Sequence, residues 1–193
     1  MNNAILQLVL VEDDLDFQYL IRQTVEKEAD MRVLACCTSA KAAVALADAE
    51  KPDLILMDLS LNGSLSSGIE ACRAIRMATD CKVLIFTSFE DPGIVIQAAV
   101  RGLAHGYVFK SQFALLTEMI RSTATGPTPQ QMMIQSLILA CLSPAERSVF
   151  DNLMGKDVSL HSSPKTIANQ KTMILKKLDL PSVSTLIHIF RGN

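Results

Sequence analysis

Long apolar runs are missing from this chain of 193 residues. Stretches such as Val83-Leu84-Ile85-Phe86 fall far short of the roughly 20 residues a membrane-spanning helix needs. No membrane association is expected. No basic segment precedes the first apolar run, which argues against a secretory signal. The five cysteines contain no C-x-x-C pair; Cys36 and Cys37 are adjacent and the others are scattered. This supports neither a zinc site nor a disulfide framework, and it suits free thiols in the reducing cytoplasm. His105, His161 and His188 are widely spaced and read as surface or packing residues. Internal repeats and low-complexity tracts are also absent.

The most informative absence is of charge. Residues 123–140 carry no charged side chain. Before them, residues 1–122 hold 11 Lys/Arg against 16 Asp/Glu; after them, residues 141–193 hold 7 against 4. An acidic part, a neutral joint and a basic tail suggest two domains with different partners. The joint also contains Gly126-Pro127-Thr128-Pro129, a strong breaker cluster. The expected division is therefore 1–122, a partly helical linker over 123–140, and a small domain over 141–193. Apolar residues make up 49% of the chain, which is ample for buried cores.

The first part alternates between two periodicities. Ala4 to Val11, Arg32 to Cys36, Asp53 to Met57, Lys82 to Thr87 and Gly106 to Lys110 read as buried strands. Between and after them, helical spacing appears over Asp16–Glu28, Ala40–Ala49, Gly68–Ala78, Pro92–Arg101 and Phe113–Ser122. Five strands alternating with five helices predict an α/β fold, an open, doubly wound parallel sheet with helices on both faces. Ligands of such sheets bind beyond the carboxyl ends of the strands. Glu12, Asp13 and Asp14 follow the first strand, Asp58 the third and Thr87 the fourth, and Lys110 ends the fifth. All should converge on one end of the sheet. Carboxylates packed this closely repel one another, and burial raises the cost. A hard divalent cation such as Mg²⁺ relieves the repulsion with oxygen ligands. A phosphoryl group on one carboxylate would set its oxygens against the cation, the Thr87 hydroxyl and the Lys110 ammonium, as phosphoryl transfer requires.

Residues 4–122 resemble the receiver domain of two-component response regulators, which has a flavodoxin-like fold. The resemblance is carried by Val11-Glu12-Asp13-Asp14, Leu56-Met57-Asp58-Leu59-Ser60, Phe86-Thr87-Ser88 and Gly106-Tyr107-Val108-Phe109-Lys110. It implies Asp58 as the acceptor of a phosphoryl group from a sensor histidine kinase. It further implies Glu12, Asp13, Asp58 and the Ser60 backbone carbonyl as Mg²⁺ ligands. Lys110 is then the partner of acceptor and phosphoryl group, and Thr87 and Tyr107 are a switch pair. The chain departs from the family after Asp58, where the usual proline is absent and Leu59-Ser60-Leu61-Asn62-Gly63-Ser64 makes a longer loop. Ser60 stands where aspartyl phosphatases place a second aspartate, which argues for a regulator over an enzyme. At most, slow self-catalysed phosphoryl transfer and dephosphorylation are expected.

The last 53 residues resemble the LuxR/NarL-type helix-turn-helix domain. Leu142-Ser143-Pro144-Ala145-Glu146 matches its opening and carries a capping box, and Ser163 to Leu178 resembles its recognition helix. Only 8 positions separate Gly155 from Ser163, so the helix that usually precedes the reader is missing. The resemblance implies promoter DNA as partner, with Lys165, Lys171 and Lys176 on phosphates, Thr166 at the helix start, and Asn169 and Gln170 as base readers. Val183–Phe190 would be the final helix, which in this family often supports dimers, so the resemblance allows a homodimer. The expectation is a transcription regulator controlled by phosphorylation. Two readings stay open beside it. In one, the shortened C-terminal helices contact a protein; in the other, the receiver switches without phosphorylation.

Overall fold

A computed structural model of the chain describes residues 5–160 and 162–191. They fall into two compact units divided between Ile134 and Gln135. The first is built on a parallel sheet of β1 (Leu6–Val11), β2 (Met31–Cys37), β3 (Leu54–Met57), β4 (Lys82–Thr87) and β5 (Gly106–Phe109), in the order β2-β1-β3-β4-β5. Helices α1 (Leu15–Val25), α2 (Ala40–Glu50), α3 (Leu65–Ala78), α4 (Pro92–Arg101) and α5 (Leu116–Thr125) connect and follow the strands.

The expected doubly wound fold is what forms, and side-chain alternation explains why the strands read as unbroken apolar runs. Val9, Val11, Ile55, Met57, Val83 and Ile85 point to one face and pack with Ala43, Ala47, Cys72, Ile75 and Ala98 of α2, α3 and α4. Leu8, Leu10, Leu54, Leu56, Leu84 and Phe86 point to the other and pack with Ile21, Val25, Leu116 and Ile120 of α1 and α5. Both faces are covered, so neither tolerates polar residues. The chain leaves β1 for β2 on one side and returns to β3 on the other. That reversal opens a crevice at the carboxyl ends of β1 and β3.

Several local boundaries differ from the sequence reading; α5, for one, runs over Leu116–Thr125 and not Phe113–Ser122. Helix α1 stops at Val25. Helix α3 begins at Leu65, three residues before Gly68. A Cβ on Gly68 would lie 2.7 Å from Leu59 Cα, so this glycine marks a close approach of helix to loop and not a helix start. Lys110 lies outside β5 and opens a 3₁₀ segment, Lys110–Leu115, ahead of α5. Ala4 lies outside the described residues. The neutral joint contains a helix, α6 (Pro129–Leu139).

The second unit contains α7 (Pro144–Leu153), α8 (Pro164–Leu178) and α9 (Val183–Arg191) around Val149, Phe150, Ile174, Leu178, Leu186 and Ile189. Phe150 and Phe190 meet edge to face at 5.2 Å. The Ser143–Glu146 capping box starts α7 as the sequence indicates. Residues 156–160 contain no helix, in keeping with the short gap; His161 lies outside the described residues.

Candidate phosphoryl-acceptor site

The ends of β1, β3, β4 and β5 deliver the functional side chains. Backbone pairing continues past β1 and β3, with Glu12 N–H donating to Cys37 O at 3.0 Å and Asp58 N–H to Val11 O at 2.9 Å. These bonds aim two carboxylates into the crevice, and Glu12 and Asp58 are buried. Glu12, Asp13 and Asp58 each offer an oxygen within 4.8 Å of the others. The Lys110 ammonium donates to Asp58 Oδ2 at 2.8 Å and pairs with Glu12 Oε2 at 2.6 Å. It also sits 4.6 Å from the centre of the Phe17 ring, a cation–π contact that the apolar walls strengthen.

Three carboxylates against one ammonium leave an excess of negative charge. Burial pushes the Glu12 carboxyl above its ordinary range, and the Asp58 charge adds to the rise; the Lys110 hydrogen bond opposes it. Burial pulls the Lys110 ammonium down, but its hydrogen bonds to Asp58 and Glu12 outweigh this and hold it above the usual lysine range. Lys110 is thus firmly cationic. The oxygen-only donor set and the surplus negative charge fit a hard divalent cation with retained waters.

The acidic run after β1 divides by role. Asp14 is the N-cap of α1 and accepts from the Asp16 and Phe17 N–H groups at 3.0 Å. Asp13 Oδ2 instead accepts from Asn62 N–H at 2.8 Å, which ties the β1 loop to the loop after Asp58. That second loop turns at Asn62 and Gly63, with φ of 53° and 72°. Ser64 N–H closes the turn on Leu61 O at 3.1 Å. Two successive positive φ values are what Asn-Gly supplies at least cost. Ser60 N–H donates to Asp58 Oδ1 at 3.2 Å.

Thr87, at the end of β4, is fully buried, and its hydroxyl has no hydrogen-bond partner. A buried polar atom left unpaired is costly and calls for an explanation; here it stands at the strand end beside the carboxylates. Tyr107 is turned inward, and its hydroxyl donates to Phe89 O at 2.8 Å. Burial, helped by the Asp58 charge, pushes its phenol up, so it stays a donor. Gln18, which no sequence pattern marks, donates its amide to Glu12 O at 3.0 Å and Cys37 O at 3.3 Å. Phe17 likewise passed as an ordinary core residue. Neutral and aromatic side chains of this kind carry no pattern that marks them.

In the second unit the sequence-predicted contacts lie on α8. Lys165, Thr166, Asn169 and Lys176 are exposed, with Ala168 and Thr172 between them. Gln170 and Lys171 are half-buried at the margin of that face. Lys177 is already committed, donating to Glu146 Oε2 at 2.7 Å and to Cys141 O at 3.1 Å.

The family model described as the response regulator receiver domain matches residues 8–121. The chain belongs to that family, and the crevice described above lies within the matched span. The chain is 28% identical to the transcriptional regulatory protein DesR of Bacillus subtilis (strain 168) over 185 residues, 91% of each. It is 26% identical over 196 residues to LiaR of the same strain, covering 91% of this chain and 92% of that protein. The crystal structure of a LuxR-family two-component response regulator from Aurantimonas sp. SI85-9A1 superposes with a TM-score of 0.60 at 30% identity, over 71% of this chain and 97% of that one. RcsB of Salmonella typhimurium shares the fold at 20% identity, with a TM-score of 0.56 over 96% of this chain. Among the described residues, no helix is long and apolar enough to cross a membrane.

Proposed function

We propose that this chain is a two-component response regulator that accepts a phosphoryl group on Asp58 and controls transcription through its C-terminal helices. Asp58 carries the reading: it is a buried carboxylate that accepts from the Lys110 ammonium within the acidic cluster, and it stands where the receiver-domain resemblance puts the acceptor. A carboxylate oxygen of Asp58 would attack the phosphorus of a phosphohistidine on a sensor kinase. The P–O bond forms as the P–N bond breaks, and the imidazole departs. Lys110 neutralises charge on the acceptor and on the transferring group. Glu12, Asp13, Asp58 and the Ser60 carbonyl would hold Mg²⁺, which when bound offsets the crowded negative charge and grips phosphoryl oxygens. The Thr87 hydroxyl would donate to the new dianion, and Tyr107 would respond to its movement. Slow self-catalysed gain and loss of phosphate is the only turnover expected.

The output reading divides the chain into a receiver over 1–122, a linker over 123–140 and a helix-turn-helix domain over 141–193. Helix α8 would enter the major groove. Lys165, Lys171 and Lys176 contact phosphates, Thr166 serves the helix start, and Asn169 and Gln170 meet base edges. The exposed α8 face supports this. Dimerisation through the final helix is part of the same reading. The helix-free segment 156–160 supports a second one, because the brace that normally crosses the DNA backbone is missing. In that case α7–α9 would contact a protein.

Acetyl phosphate with Mg²⁺, followed by intact-protein mass measurement, tests the acceptor. Wild type should gain one phosphoryl group and Asp58→Asn none. Equal loading of both proteins would refute the assignment. Retention of genomic fragments in a mobility-shift assay separates the DNA-binding reading from the protein-binding one.

A further inference from the structure

At the free edge of β5, a side chain takes the place of a neighbouring strand. Strand β5 lies at the margin of the sheet and pairs only with β4, so one row of its peptide groups lacks a strand partner. The carboxamide of Gln130, in the first turn of α6, fills that place at Tyr107. Gln130 Oε1 accepts from Tyr107 N–H at 2.9 Å, and Gln130 Nε2 donates to Tyr107 O at 2.9 Å. One amide thus does what the peptide of a neighbouring strand would do. The fit is close on its other side too. A Cβ on Gly106 would fall 2.9 Å from Gln130 Oε1, 2.9 Å from Leu84 Cδ1 and 3.5 Å from Thr123 Oγ1. Glycine at 106 is therefore what lets α6 seat against the strand. The α6 start is itself fixed, with Gln131 N–H donating to Thr128 Oγ1 at 3.1 Å and Met132 N–H to Thr128 O at 3.0 Å.

Tyr107 is held at both ends as a result. Its backbone is gripped by α6, and its hydroxyl donates to Phe89 O, two residues beyond Thr87. Helix α6 then runs without a break past the division between the two units at Ile134 and Gln135.

We infer that Gln130 is the positioning residue that ties the linker helix to the switch strand, so that a shift of Tyr107 on phosphorylation moves α6. The inference rests on the phosphoryl-acceptor reading. Gln130 touches none of Glu12, Asp13, Asp58 or Lys110 in any hydrogen bond described, so loading of phosphate should not depend on it. A merely structural cap would slow opening of the Tyr107 amide and do nothing more. A coupling residue must also transmit the phosphorylation response.

The test uses the full chain as wild type, Gln130→Ala and Gln130→Glu. The glutamate can still accept from Tyr107 N–H but cannot donate to Tyr107 O. Each protein is treated with acetyl phosphate and Mg²⁺, loading is read by mass, and folding is checked by thermal melting. Amide hydrogen exchange is then followed at Tyr107 and along Met132–Leu139, with and without phosphate. Without phosphate, Tyr107 exchange in Gln130→Ala should rise roughly threefold to tenfold, the scale of one or two net hydrogen bonds. Loading should stay within about twofold of wild type. Phosphorylation should change exchange along α6 in wild type and leave it unchanged in both variants. Variants whose α6 responds as wild type does would overturn the inference, as would a loaded wild type whose α6 does not respond. Absence of loading in wild type is recognised by mass alone; it would overturn the acceptor reading and this inference with it.

Discussion

Lys110 neutralises two buried carboxylates at once, which makes it the residue whose loss the receiver should feel most. Glu12 is 2% exposed and Asp58 4%, so neither carboxylate can recover its hydration when the ammonium is removed. Breaking such a group by deleting one partner costs about 3–5 kcal/mol. Lys110→Ala should lower the melting temperature accordingly. Added Mg²⁺ should restore more of the loss than it adds to wild type, and differential scanning calorimetry with and without the ion reads the difference. Thr87 makes the opposite case. Its orphaned hydroxyl stabilises nothing before phosphorylation, so Thr87→Val, which keeps the shape, should leave the melting temperature unchanged or raise it by up to about 1–2 kcal/mol of stability. The same variant should load phosphate and then fail to alter hydrogen exchange around Tyr107. A melting temperature that falls by more than a few degrees would show that the hydroxyl has a partner. At this scale the sequence was readable where charge ends an apolar run, as at Asp58 and Lys110. It was silent at Gln18, Phe17 and Gln130, which are neutral or aromatic and act through geometry the chain order does not display.

Among the elements, α3 packs closely on the acceptor loop at Gly68. Gly68→Ala would press a methyl group against Leu59 Cα and O and Asp58 O, all backbone atoms that cannot swing aside. The expected cost is about 1–3 kcal/mol, with slower phosphate loading as the loop after Asp58 shifts. Thermal melting and loading kinetics check both effects; unaltered kinetics would separate α3 from the site. In the second unit, Glu146 joins the α7 capping box to Lys177 near the end of α8. The Lys177 hydrogen bond, then the Ser143 N–H, hold its carboxyl below the usual range. A depressed carboxyl contributes stability that is present above the ordinary carboxylate value and is lost as pH falls through the folded one. Glu146→Gln should therefore melt several degrees lower at neutral pH, and the gap to wild type should close below about pH 4. A gap that stays constant with pH would remove the carboxylate from the account. Strands and helices were legible because short unbroken apolar runs alternate with segments of helical spacing along the chain. Boundaries were not, because close packing such as that of Gly68 on Leu59 depends on the folded neighbours and not on the local pattern.

At the scale of the whole molecule, the division of charge is the guiding feature. An acidic receiver and a basic C-terminal part are joined by a charge-free segment that folds as α6. In the proposed reading the α8 lysines would meet a polyanion, while the acidic cluster of the first unit would hold a cation and take a phosphoryl group. Phosphorylation need favour one conformation by only a few kcal/mol to redistribute the population. The missing brace before α8 lowers the contact available to DNA, so binding should depend strongly on that redistribution and on salt. The most direct measurement is retention of genomic DNA fragments by the full chain at several salt concentrations, before and after treatment with acetyl phosphate and Mg²⁺, beside Asp58→Asn. Tighter, salt-sensitive binding by treated wild type alone is the expected result. Binding that is unaffected by treatment, or that rises equally in Asp58→Asn, would contradict the account.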